Sequence, residues 1–322
     1  MILRIGLLGA SRIAPRAIIA PAQARIDAQI TAVAARDLGR AQAYAQTHDI
    51  PAAVEGYEAL IARDDVDLIY CALPPSGHIA PCLAALAAGK ALLIEKPFAM
   101  NAGQAAQIAA AAQAAGRPAM EAFHYRFHTM FRRALDLVRD QRLGRLIRAE
   151  GLFEAMIDRA PGQLRWDPAQ GGGGIMDLGC YVIHALRTLI GEEPALTAAT
   201  AALEHGVDDQ MRAELAFPGG VAATVSSSMS GPRQDWIVLQ GELATLRLER
   251  FVSPQHGGVL SLTDARGVHE EPAHGPASYD AQLAHVVEVM RGETEPLTGG
   301  ADAVANMTVI DALRQAVGMP VG

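Results

Sequence analysis

Short apolar runs at residues 2–8, 30–35, 66–73 and 91–94 alternate with Ala-rich stretches of helical period over the first 120 residues. This alternation is the tightest constraint in the chain. Strands separated by helix-length segments pair in parallel through right-handed crossovers, which implies a doubly wound α/β sheet. The connecting stretches, such as LGRAQAYAQTHD and IAPCLAALAAG, are built from good helix formers. Gly89 and Gly116 each follow a helical stretch and precede an apolar run, as glycines that end helices do.

The pattern changes after about residue 120. A helix is expected over 125–140, with Arg132, Arg133, Arg139 and Arg142 on a solvated face. Strand-like runs follow near 146–157, 196–203, 211–217, 220–229, 235–240 and 243–249, many joined by short turns such as Pro218-Gly219-Gly220, and they predict a large, mostly antiparallel sheet. Gly171-Gly172-Gly173-Gly174 precedes a helical stretch at 175–190, and two helices, about 278–291 and 300–317, close the chain. With 322 residues and domains of ~100–200 residues, the reading is two domains, 1–121 and 122–322, the second an α/β domain with an open sheet.

Composition removes several function classes. Half the residues are hydrophobic, so a sizeable core is available. A formal charge of −8 disfavours binding to a nucleic-acid backbone, and no stretch approaches the ~18 apolar residues of a membrane span. Cys71, Cys82 and Cys180 show no C-x-x-C spacing, and the N-terminal stretch lacks the pattern of a secretory leader. A cytoplasmic protein with a small-molecule ligand is expected.

The turn after the first run reads Gly9-Ala10-Ser11-Arg12-Ile13-Ala14. A dinucleotide-binding turn needs small residues for tightness, for approach of backbone N–H groups to the pyrophosphate and for helix packing. Gly9, Ser11 and Ala14 meet those needs, with Ser11 where glycine is usual, and Arg12 and Ile13 complete the loop. The second strand ends in Ala34-Ala35-Arg36-Asp37. NAD sites place an acidic residue there, whereas a guanidinium pairs with a 2′-phosphate. Arg36, with Arg40 one turn into the next helix, therefore favours NADP over NAD, although Asp37 could reach a ribose.

Only two of the 27 basic residues are lysines, Lys90 and Lys96. Lys90 follows Gly89 and reads as a solvent-exposed charge near a helix end. Lys96, in Glu95-Lys96-Pro97, lies where the run at 91–94 stops, at the strand ends where ligands of open α/β sheets bind. The bond before Pro97 is a candidate for the cis isomer.

Together, GLLGASRIA, ALPPSGH, Glu95-Lys96-Pro97, EAFHYRFH at 121–128 and GGGGIMDLGCYVIH at 171–184 resemble the glucose-fructose oxidoreductase/inositol dehydrogenase/MocA (Gfo/Idh/MocA) family. The branch most similar contains dimeric dihydrodiol dehydrogenase and NADP-dependent D-xylose dehydrogenases. The resemblance extends over essentially the whole chain. It implies an N-terminal Rossmann domain, and a C-terminal domain whose open sheet forms a homodimer or higher homo-oligomer.

The same resemblance places Leu73, Pro74, His78, Glu95, Lys96 and Pro97 around the cofactor. It matches Lys96 to a lysine near the nicotinamide ribose and the reacting oxygen, and Asp177 and Tyr181 to an Asp followed four residues later by His or Tyr. On a helix that spacing puts both side chains on one face. The implied chemistry is hydride exchange between NADP(H) and a CH–OH carbon of an aldose, polyol or cyclic dihydrodiol. Tyr181 would relay the proton, with Lys96 lowering its pKa from about 10, and Asp177 would orient substrate hydroxyls.

Pro75 stands where many members have Asn, and His124 replaces a commoner apolar residue. Arg165 and His184 are candidate pocket residues, Phe153 and Trp166 candidate walls, and His78 could cap or pack instead of touching the cofactor. His124 and His128 are spaced i, i+4 but lack a third ligand, so no metal is expected. The alternatives are a reductase of another carbonyl or an imine, and a sensor that binds NADP without turnover.

Overall fold

The computed structural model describes residues 2–321. Six strands form the first sheet: β1 (Leu3–Leu8), β2 (Ala28–Ala35), β3 (Ala52–Glu55), β4 (Leu68–Cys71), β5 (Ala91–Ile94) and β6 (Ala119–Glu121). Every neighbouring pair is parallel, in the order β3-β2-β1-β4-β5-β6. This is the doubly wound order in which the chain reverses direction between β1 and β4, leaving a crevice at their carboxyl ends. The helices of this unit are α1 (Ala20–Gln23), α2 (Leu38–Thr47), α3 (Tyr57–Ile61), α4 (Ile79–Ala87) and α5 (Ala102–Ala115). Asp37 and Asn101 cap α2 and α5 with their side chains, and Gly116 ends α5 in the left-handed conformation.

The second sheet contains β7 (Leu146–Glu154), β8 (Ala195–Glu204), β9 (Val207–Ala216), β10 (Ala222–Ser228), β11 (Gln234–Gly241), β12 (Thr245–Glu249), β13 (Val259–Asp264) and β14 (Gly267–Pro272). Its order is β14-β13-β12-β11-β7-β10-β9-β8, antiparallel except for the parallel pair of β7 and β10. Helices α6 (Thr129–Arg139) and α7 (Cys180–Ile190) belong to this unit. One face is apolar: along β7, Ala149, Gly151 and Phe153 are buried while Glu150, Leu152 and Glu154 on the opposite face are half-exposed. A side chain at Gly151 would overlap Val182 of α7, so the glycine permits the close helix approach.

Contacts divide the chain into residues 1–123 with 279–304, and residues 124–278 with 305–322. A single cut at 121/122 therefore does not describe the chain path. The reason lies in α8 (Ser278–Met290): its Leu283, Val286 and Val287 are buried in the same cluster as Ile5, Val33, Tyr70 and Leu93 of the first sheet. The last helix, α9, spans Gly300–Ala316.

Candidate active site

The nucleotide turn follows β1. Gly9 has φ +98°, and a side chain there would crowd Leu73 and the carbonyl of Ala72, so glycine is required both by conformation and by space. Ser11, where glycine is usual, ties the turn together by another route: its Oγ accepts from the backbone N–H of Ala14 at 3.2 Å, just before the helical segment that starts at Pro15. That segment, Pro15–Ile19, is π-helical, a local widening common at functional sites. The loop is tied down from α2, where the Tyr44 hydroxyl donates to the carbonyl of Ser11 at 2.8 Å and Arg40 Nη2 donates to that of Ala10 at 3.0 Å.

At the end of β2, Arg36 and Arg40 are exposed. The Asp37 carboxylate accepts from the Arg40 N–H at 2.8 Å as the cap of α2, so it is engaged in structure. Burial raises the Tyr57 phenol pKa, and the charges of Arg36 and Arg40 draw it part of the way back down. Tyr57 escaped the sequence reading because an aromatic opening a helix resembles any core residue. A tight glycine turn with a guanidinium pair beside it fits a dinucleotide carrying an extra phosphate.

On the other side of the crevice, Lys96 is half-buried just past β5, and the Lys96–Pro97 bond is cis as the sequence suggested. The Tyr70 hydroxyl donates to the carboxylate of Glu95. Burial raises the pKa of Glu95, opposed by that hydrogen bond and then by the Lys96 charge. Two expectations change here. His78 is fully buried, with Nδ1 3.1 Å from the carbonyl oxygen of Phe98 and Nε2 2.9 Å from that of Leu73, so neither ring nitrogen faces a cofactor. It instead links the Leu73-Pro74 turn to the segment after Lys96-Pro97. Lys90 is not a solvated charge: it is half-buried, and its Nζ donates to the carbonyls of Arg63 at 2.7 Å and Val66 at 2.8 Å.

In the second unit the glycine run leads into a π-helical turn, Ile175–Gly179, that continues as α7. Asp177 lies in that turn and Tyr181 in the first turn of α7. Arg165 Nε donates to Asp177 Oδ2 at 2.5 Å, so two of the expected substrate-binding residues meet in one ion pair. Tyr181 is 5% exposed and surrounded by rings: Phe153 at 5.6 Å, Tyr125 at 5.9 Å and His124 at 6.0 Å between centroids. Behind them, the Tyr125 hydroxyl and His184 Nδ1 are 2.5 Å apart. Phe153 is thus a wall of the Tyr181 environment, and His184 is held by Tyr125.

The remaining candidates have structural partners. His124 Nδ1 is 2.8 Å from Ser278 Oγ, and His128 caps α6 by accepting from the Met130 N–H at 3.1 Å. Trp166 Nε1 donates to the carbonyl of Asp158, with the Arg159 guanidinium over its ring. All three cysteines are buried.

A family model described as "Oxidoreductase family, NAD-binding Rossmann fold" matches residues 3–123, and one described as "GFO/IDH/MocA C-terminal domain" matches residues 131–247. The chain belongs to the Gfo/Idh/MocA oxidoreductase family. It is 33% identical over 314 residues to D-xylose 1-dehydrogenase (NADP(+)) 2 of Haloferax volcanii, covering 96% of this chain and 95% of that protein. It is 30% identical over 308 residues to trans-1,2-dihydrobenzene-1,2-diol dehydrogenase of Sus scrofa, covering 92% and 90%. Among solved structures, aldose-aldose oxidoreductase from Caulobacter crescentus superposes with a TM-score of 0.90 at 28% identity, covering 98% and 97% of the two chains. The Gfo/Idh/MocA assignment accounts for the parallel sheet, the open antiparallel sheet and the order of the motifs along the chain.

Proposed function

We propose that this family member is an NADP-dependent dehydrogenase or reductase of CH–OH groups in a small polyhydroxylated molecule, an aldose, polyol or cyclic dihydrodiol. The observation that carries the cofactor choice is the end of β2, where Arg36 and Arg40 are exposed while the Asp37 carboxylate is engaged as a helix cap. A 2′-phosphate gains two guanidinium partners there, whose charges outweigh that of the exposed Asp37 carboxylate. When bound, NADP supplies the hydride acceptor or donor of the alcohol–carbonyl couple. Gly9, Ser11, Arg12, Ile13 and Ala14 would hold the pyrophosphate, and Leu73, Pro74, Glu95, Lys96 and Pro97 would line the nicotinamide side.

The chain's own residues are assigned the acid–base and positioning work. Tyr181 holds the proton exchanged with the substrate oxygen at its hydroxyl, in a ring-lined environment that excludes water. Lys96 is a binder of the substrate oxygen and an electrostatic activator of the proton transfer. Asp177, with Arg165, orients substrate hydroxyls; the pair is close to neutral overall, which suits an uncharged polyol. The name of the Haloferax volcanii relative supports the pairing of NADP with an aldose, and that of the Sus scrofa relative the dihydrodiol alternative.

We also propose that the chain forms a homodimer through the open face of its second sheet and resides in the cytoplasm. Half-exposed Leu152, Trp236 and Val238 occupy neighbouring positions on that face, flanked by the pairs Arg148–Glu150 and Arg247–Glu249. Among the described residues no helix is long and apolar enough to cross a membrane.

The deciding experiment follows absorbance at 340 nm with NADP or NAD against D-xylose, other aldoses, polyols and trans-1,2-dihydrobenzene-1,2-diol. Turnover with NADP and at least one of these is expected. Tight NADP binding with no turnover across the panel would favour the sensor, and equal use of NAD would overturn the role given to Arg36.

A further inference from the structure

The last two glycines of the run at 171–174 pack against a carboxylate that the proposed reaction does not use. Asp208, at the start of β9, is fully buried. Its Oδ2 accepts from the backbone N–H of Ile175 at 2.7 Å, the first residue of the helix that carries Asp177 and Tyr181. A side chain at Gly173 would overlap Asp208 Oδ1, and one at Gly174 would lie 3.2 Å from both Oδ2 and the Asp208 carbonyl. Gly173 also has φ +120°, a conformation open to glycine and strained for other residues. Gly173 and Gly174 thus bring the backbone close against one carboxyl group, whose Oδ2 is bonded and whose Oδ1 has no hydrogen-bond partner among the described residues, at a helix end where negative charge is favoured.

We propose that Asp208 is a positioning residue for the reaction: its ionised carboxylate fixes the entry of the Ile175–Ile190 helix and thereby the placement of Asp177 and Tyr181. This rests on the roles assigned to those two residues above. A charge-assisted bond to a backbone N–H is roughly twice as strong as a neutral one. The first turn of this helix is π-helical, so its path depends on contacts outside the helix more than a regular turn does. Protonation leaves the cap in place as a weaker acceptor and loosens the turn bearing Asp177.

The groups around Asp208 set when this happens. Burial raises its pKa to about 7, against the Ile175 N–H bond and the charge of Arg314 on α9, and with the adjacent Asp209 adding to the rise. Arg314 is itself buried and faces Asp311 as well as Asp208. Asp209 is held by the Ser230 hydroxyl at 2.6 Å and lies 3.7 Å from Arg159. Activity and stability then respond in opposite directions. The ionised form, populated above about pH 7, gives the ordered helix entry, while the neutral form costs less to bury.

The test measures kcat against pH for the parent, Asp208→Asn and Asp208→Ala, using NADP and the panel compound that turns over fastest, with Tyr181→Phe as control. Hydrogen exchange of the 175–181 amides and thermal unfolding are read on the same proteins with NADP present. Asp208→Asn should behave at every pH like the protonated parent. Its kcat at pH 8.5 should fall about tenfold with little change in KM, its acid limb near neutrality should disappear, and its melting temperature at that pH should rise. Asp208→Ala should lose more activity and expose the Ile175 amide to exchange.

If Asp208→Asn keeps the parent's kcat and acid limb, and the 175–181 amides exchange as in the parent, the proposal is overturned. Should Tyr181→Phe turn over normally, the reading of the helix as catalytic fails instead, while the exchange result still reports on the cap.

Discussion

Lys90 and Lys96 look alike in a chain with 27 basic residues and only two lysines, yet they sit in opposite circumstances. Lys90 gives its ammonium to two backbone carbonyls, Arg63 and Val66, and so joins the end of the helix–strand connection before β4 to the start of β5. Lys90→Met should cost about 1–3 kcal/mol of stability by leaving those carbonyls short of a donor, with kcat unchanged, as denaturant unfolding and steady-state assays would register. Lys96→Met should do the reverse. Unfolding should be near that of the parent, and kcat should fall by on the order of 10²–10⁴-fold; retention of near-normal turnover would remove Lys96 from the reaction.

Asp208 gives a pH prediction at the same scale. Its folded pKa is about 7 against an ordinary 3.8, so the folded state holds a proton that the unfolded chain releases. The sign follows: stability from this group is present below pH 3.8 and is lost as pH rises through about 7. Asp208→Asn should therefore melt like the parent near pH 4 and above it at pH 8, by on the order of 4 kcal/mol at most. An equal gap at both pH values would contradict the raised pKa. Lys90 read as a surface charge because it follows a helix-ending glycine, and Asp208 drew no reading because it lies between Val207 and Asp209, outside any apolar run.

At the scale of elements, the two turns that matter each join a glycine-containing loop to a π-helical segment, Pro15–Ile19 after β1 and Ile175–Gly179 after the glycine run. Sequence located both loops, since Gly9 and the run at 171–174 are conspicuous, but it read the following helices as regular. The cofactor preference belongs to one such junction. Replacing Arg36 with Ala should reduce the kcat/KM ratio of NADP to NAD by about tenfold or more, measured with both cofactors and a single substrate; an unchanged ratio would return the choice to Arg40 or to the loop. The strands missed by pattern were β3, β6, β13 and β14. β3 and β6 are short edge strands and β14, GVHEEP, is a mostly exposed, charged edge, so they lack the apolar signature that burial imposes on central strands, whereas β13 (VLSLTD) alternates buried Leu260 and Leu262 and was legible but overlooked.

At the scale of the whole molecule, the open face of the second sheet carries the oligomer prediction. Trp236 is half-buried beside Leu152, with the Arg247 guanidinium over its ring at 4.8 Å. A Trp236→Glu substitution should place an unpaired charge in the proposed interface and convert a dimer to a monomer, which light scattering after size-exclusion chromatography would detect. A monomeric parent would refute the dimer outright. The alternation of runs and helices determined the parallel sheet, its connection rule and the position of the nucleotide turn, because burial on both faces forces long apolar strands and crossovers. Motif order determined the family. Only the tertiary structure decided that residues 279–304 return to the first unit, that both ring nitrogens of His78 lie against backbone carbonyls, and that Gly173 and Gly174 pack against Asp208. Apart from the His78–Leu73 contact, each depends on groups 20 or more residues apart meeting in a buried space, and local pattern records which faces are apolar without recording what they are packed against.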